Sequence, residues 1–265
     1  MRNLQTGILM ISALLATKLG AETINCVIEP KQMIKVNTAV NGIISTVNVQ
    51  RGDFVTQGQI VATLESAVEK TSVALASARA NNRYSMAATR SRIKFLQSKL
   101  SRLTNMNKAS KFASDAEIEE VSTDLTIEQH KLNENIHQQK IAQLELAQAK
   151  AVFNQRTIRS PIEGVVVEKR MSRGEYRSED THIVTIAQIN PLNVEVFVPF
   201  RLHHKVTLGE PFKVTLETPF DDTYTATVTV IDQVFDAASG TFGVRLSLPN
   251  EDNTVPSGVK CTVVF

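Results

Sequence analysis

The sequence predicts an α+β protein in which a long antiparallel α-helical hairpin is inserted into a small split β-module and followed by a small β-barrel. Three observations carry this expectation. Between Gly58 and Gly164 the only helix breaker is Pro161, and helix interiors exclude glycine and proline above other residues. The segments on either side of that run resemble each other. Beyond Asn190-Pro191 the pattern changes to short alternating strands separated by turns.

Residues 1–21 read as a secretory signal peptide. A weakly positive start is followed by an apolar stretch, Gly7 to Ala16, and by small residues near Glu22. The alternative is an uncleaved anchor. The mature chain is then expected to be an exported protein, with no lipoprotein signal around Cys26.

Residues 22–65 are expected to hold an N-terminal strand and the first half of the β-module. Val40-Asn41-Gly42-Ile43-Ile44 leads to Arg51-Gly52-Asp53 and then to the apolar strand Ile60 to Leu64. Residues 157–189 repeat the plan. Ile162-Glu163-Gly164-Val165-Val166 leads to Arg173-Gly174-Glu175 and to Ile183-Val184-Thr185-Ile186. Gly42, Gly52, Gly164 and Gly174 are read as turn residues, because glycine reaches positive φ at no steric cost.

Between these halves, residues 66–156 are expected to form the hairpin. One stripe passes through Met86, Ile93, Leu96, Leu100 and Leu103, and a second through Ile118, Val121, Leu125, Leu132, Ala142, Leu146, Ala149 and Phe153. Each helix would be roughly 60 Å long at 1.5 Å per residue. Two such stripes bury themselves against each other as a coiled coil. The tip is expected near residues 108–115, where Ser114 and Glu117 fit a capping box. Arg79, Asn82, Glu128, Asn135 and Gln139 fall at seam-compatible positions; they set register, or face water or a neighbouring copy.

Residues 190–265 are expected to form the barrel, with strands at Leu192 to Pro199, Pro211 to Glu217, Tyr224 to Val234, Gly243 to Pro249 and Val259 to Phe265. Cys26 and Cys261 lie near opposite ends of the mature chain. In an oxidising compartment they can staple the end strands as a disulfide. The alternative is two buried small hydrophobes.

Several function classes are absent. The net charge is +2, and no basic block with interleaved aromatics suggests nucleic acid. No G-x-S-x-G elbow, phosphate-binding loop or H-E-x-x-H site occurs. His130, Glu134 and His137 share a helix face by spacing, a pattern that solvated residues on a long helix show more often than zinc ligands do. His203-His204 is an equally weak metal pattern, with a pH-sensitive contact as its alternative, and Asp232 and Asp236 sit in a strand-turn region without a catalytic partner. Neither an enzyme, a metal site nor a cofactor is expected.

The repeated flanks resemble the biotinyl/lipoyl-like sandwich, split by a hairpin as in the periplasmic adaptor, or membrane-fusion, family (HlyD-like, of the resistance-nodulation-division efflux type). Thr157-Ile158-Arg159-Ser160-Pro161-Ile162-Glu163-Gly164 is similar to that family's re-entry strand, and Val194 to Pro199 and Pro256-Ser257-Gly258-Val259 to its barrel. Family members that dock on outer-membrane channels carry an arginine, a leucine four residues on and a serine seven further. Lys99, Leu103 and Ser110 take those places here, the lysine keeping the charge without the guanidinium fork.

The resemblance implies an adaptor that bridges an inner-membrane transporter and an outer-membrane channel, as a homo-oligomeric ring. A resistance-nodulation-division transporter is the first expectation and an ATP-driven exporter the second. Many members of that family continue into a membrane-proximal domain; none is evident after Phe265, a departure for which a compact form is expected. The rival readings are a periplasmic scaffold or cargo-binding protein and a lipoyl or biotin carrier, for which Lys70 lacks the usual context.

Overall fold

The computed structural model describes residues 22–110, 114–178 and 180–265. The expected signal segment, residues 111–113 of the expected tip and the side chain of Ser110 lie outside the described residues. The chain packs as two units. One comprises residues 22–33 and Ala187–Phe265, the other Ile34–Ile186. Two strands, β1 (Thr23–Val36) and β8 (Val184–Pro199), carry the chain from one to the other.

The first unit is a six-stranded barrel. Its order is β1, β12 (Lys260–Val264), β9 (Pro211–Leu216), β10 (Thr223–Ile231), β11 (Thr241–Leu248) and β8, and β1 closes the ring by pairing with β8. Closure leaves no open sheet edge. Alternation along the strands turns Cys26, Ile28, Val194, Val196, Val214, Leu246 and Val263 inward around the buried Phe242. Five of the strands match the expected runs. The sixth is a correction: the N-terminal strand joins the barrel, where Thr23 pairs with Val264 and Cys26 with Cys261.

Those two cysteines form a disulfide with Cα atoms 4.8 Å apart. Asn250 secures the loop after β11. Its buried amide donates to the carbonyls of Ile189 and Val255, and its oxygen accepts the Val255 N–H, each at 3.0 Å.

The second unit holds a sandwich and three helices. One sheet runs β5 (Thr157–Arg159), β4 (Ile60–Leu64), β2 (Gly42–Val47), β7 (Tyr176–Arg177); the other contains β3 (Phe54–Val55), β6 (Gly164–Lys169) and the start of β8. Ile44, Val49, Val55, Val61, Leu64, Val166, Ile183 and Ile186 fill the space between them.

The helices are α1 (Ala67–Asn81), α2 (Tyr84–Ser110) and α3 (Asp115–Asn154). The expected first arm is therefore two helices rather than one. Asn82 adopts an extended ψ of 109° and its Oδ1 accepts the Tyr84 N–H at 3.2 Å, so it ends α1 and caps α2. Asparagine competes for backbone groups in this way without proline or glycine.

Candidate functional site

The two sandwich halves are locked by exchanged turns. In the first half the Gly52 N–H donates to the Val166 carbonyl at 2.8 Å, while in the second the Gly174 N–H donates to the Ile44 carbonyl at 2.8 Å. Gln50 N–H binds the Asp53 carboxylate, and Ser172 N–H binds that of Glu175. The acid of each Arg-Gly-acid turn thus closes its own loop. Gly52 and Gly174 have φ of 95° and 87°, left-handed values that a Cβ strains.

Gly42 and Gly164 differ from their expected role as turn residues. Both open strands, β2 and β6. Gly42 has no positive φ and serves close packing instead: a Cβ there would lie 2.8 Å from Nη1 of Arg156. That guanidinium donates to the Asn41 carbonyl at 2.9 Å and to the Glu69 carboxylate at 2.7 and 3.1 Å. Glu69 has its pKa lowered, first by a backbone N–H in its own helix turn and then by Arg156. Arg177 is buried in the second half and donates to the Val40 carbonyl and to Asn41 Oδ1. Sequence reading missed both arginines, whose partners are carbonyls and carboxylates brought close by the fold.

Along α3 the less exposed positions include Ile118, Val121, Leu125, Leu132, Ala142, Leu146, Ala149 and Phe153, as expected, and also Glu128, Asn135 and Gln139. The last two reach α2 and α1: Asn135 Nδ2 donates to Thr89 Oγ1 at 3.0 Å, and Gln139 Nε2 donates to the Ala80 carbonyl. Ala80 lies just before the break, where its carbonyl has lost its helical partner. Arg79 and Asn82 are exposed, not in the seam.

Toward the tip, Leu96 is buried and Leu103 half-buried on the same side of α2, with Met106 exposed. Lys99 Nζ stands 3.9 Å from the Glu117 carboxylate of α3. The capping box is not made by side chains. Ser114 forms no side-chain cap bond, Glu117 turns to Lys99, and Asp115 accepts from Asn107 Nδ2 at 3.0 Å. The structure thus places Lys99 and Leu103 on neighbouring turns, with the backbone of Ser110 at the end of the same helix.

Apolar side chains also remain on the hairpin's outer flanks, among them Val68, Leu75, Leu144 and Val152. Among the described residues, no helix is long and apolar enough to cross a membrane. No three His, Cys, Asp or Glu side chains among them are grouped to hold a metal ion.

Comparison with known proteins gives this arrangement a context. Residues 32–188 match the family model described as CzcB-like, barrel-sandwich hybrid domain. An uncharacterized protein of Haemophilus influenzae is 22% identical over 226 residues, which are 85% of this chain and 52% of that protein. The chain therefore spans about half the length of the curated relative it matches.

Among solved structures, MacA from Actinobacillus actinomycetemcomitans aligns with a TM-score of 0.73 at 17% identity, over 92% of this chain and 77% of that one. A membrane fusion protein from Streptococcus pneumoniae aligns at 0.60 and 16%, over 91% and 98%. At these identities the structural likeness is one of fold.

Proposed function

The chain belongs to the CzcB-like barrel-sandwich hybrid family, and from that premise we propose that it is the periplasmic adaptor of a tripartite export pump, joining an inner-membrane transporter to an outer-membrane channel. The observation that carries this reading is the helical hairpin rising from between two hydrogen-bonded halves of a sandwich, to which Arg156 fastens it at its base. Such a limb transmits position rather than chemistry. The protein is an adaptor, not an enzyme.

In this reading Leu103 packs into a groove of the channel, and Lys99 and Ser110 hydrogen-bond beside it. Lys99 leaves a partly exposed pair with Glu117 to do so, and exposed ion pairs cost little to exchange. The apolar side chains on the hairpin flanks support side-by-side packing of several copies into a ring. A resistance-nodulation-division transporter is the proposed inner-membrane partner, with an ATP-driven exporter second.

Export of a known pump substrate by cells carrying Leu103→Glu tests the proposal. Loss of export, with normal periplasmic levels and an unchanged far-ultraviolet spectrum of the purified protein, is the expected result. Unimpaired export overturns a docking role for this stripe.

A further inference from the structure

The barrel carries a feature that bridging does not use. Phe197, on β8, points outward and is 69% exposed, the most exposed phenylalanine among the described residues. It lines two surface cavities. One, of about 360 Å³, is lined by Val27, Phe197, Glu29, Glu195, Glu217 and Lys260. The other, of about 450 Å³, includes Phe197, Val234, Asp232, Asp236 and the backbone of Gly243.

Two details open the second cavity. Gly243 pairs with Phe197 across the ladder and offers no side chain. Asp232 folds onto that glycine, so closely that a Cβ there would collide with its carboxylate. The carboxylate of Asp236 accepts the Ala238 N–H at 2.9 Å and the Ser239 hydroxyl at 2.9 Å, bonds that keep it ionised.

Both cavities are net negative around an apolar wall. Glu195 is paired with Arg245 at 2.5 Å, which leaves Glu29 and Glu217 facing one cation, Lys260. Asp232 and Asp236 face no lysine or arginine in the second cavity's lining. Cavities of this size match those that hold small molecules. An aromatic ring flanked by carboxylates favours a cation carried on an apolar body, through ring-face attraction together with charge.

We propose that the Phe197 cleft is a binding site for cationic amphiphiles, compounds with a quaternary or protonated amine on a hydrocarbon tail. The tail lies along Phe197 and Val27, and the cation meets the carboxylates. The site stands whether or not the hairpin bridges two membranes.

Isothermal titration of the full mature protein with dodecyltrimethylammonium, kept below its micelle concentration, tests it. Saturable binding is expected, weakened about tenfold or more by Phe197→Ser, a loss of roughly one buried aromatic contact. Glu29→Gln with Glu217→Gln should weaken it several-fold. All these side chains face outward, so melting curves should match wild type and separate lost binding from lost fold. Dodecyl sulfate and dodecyl maltoside should bind far more weakly. Equal affinity for the three detergents, or binding unchanged by Phe197→Ser, overturns the proposal. So does a self-associated protein that Phe197→Ser converts to monomer without any amphiphile binding, which would make the cleft a contact between copies.

Discussion

Arg156 grips Glu69 through Nε and Nη2 at 3.1 and 2.7 Å, tying the end of α3 to the first turn of α1. With Nη1 on the Asn41 carbonyl, the same side chain also fastens the hairpin base to the first sandwich half. Arg156→Ala should lower the melting temperature and loosen the base, seen as faster amide exchange in residues 67–72. Gly42→Ala should act in the same direction by displacing Nη1.

The pH dependence of this junction has a defined sign. Glu69 titrates below its ordinary value of 4.5 in the folded protein, so its contribution is complete above that value and lost as pH falls through the folded one. The stability gap between wild type and Glu69→Gln should therefore be full at pH 7 and begin to narrow only as the pH falls below about 4.5, measured by urea unfolding across pH. A gap that does not narrow as the pH falls below that value would contradict the lowering of the Glu69 pKa by its backbone N–H and by Arg156.

The Cys26–Cys261 bond closes a sequence separation of 235 residues. On the chain-entropy model such a loop contributes about 5 kcal/mol. Cys26→Ala with Cys261→Ala, or reduction of the wild type, should lower barrel stability by an amount of that order, read by denaturant unfolding. Peptide mapping without reductant should recover the two cysteines linked; free thiols would contradict the pairing.

Gln139 supplies the donor that the helix break removes from Ala80. Gln139→Leu leaves that carbonyl unpaired beside the seam and should cost about 1–3 kcal/mol. Proton exchange should quicken around residues 80–86, with the barrel unaffected.

Gly52 and Gly174 stand at equivalent turns with similar φ. Alanine at either should cost about 1–2 kcal/mol through strain alone, since open space surrounds both Cβ positions. Similar losses at the two sites would reflect the internal repeat; a loss at one alone would show that the halves are mechanically unequal.

The sequence exposed the features with a local cause. The Gly52 and Gly174 turns were legible because their backbone angles need glycine, and the α3 seam because its apolar spacing repeats. Asn135 and Gln139 were legible as seam positions, but not their bonds to Thr89 and Ala80. The break at Asn82 was hidden because Asn81-Asn82-Arg83 contains no proline or glycine. Arg156, Arg177 and the place of β1 in the barrel depend on partners far along the chain. The Ser114–Glu117 motif misled for a similar reason, as Lys99 from the other arm takes the carboxylate that local spacing assigns to the cap.

A photo-crosslinking amino acid at position 103 tests the proposed docking of the hairpin on a channel most directly in living cells. An adduct between this protein and an outer-membrane channel is expected, absent from cells that lack the channel. An absence of channel adduct from position 103, in cells whose export remains normal, would contradict it.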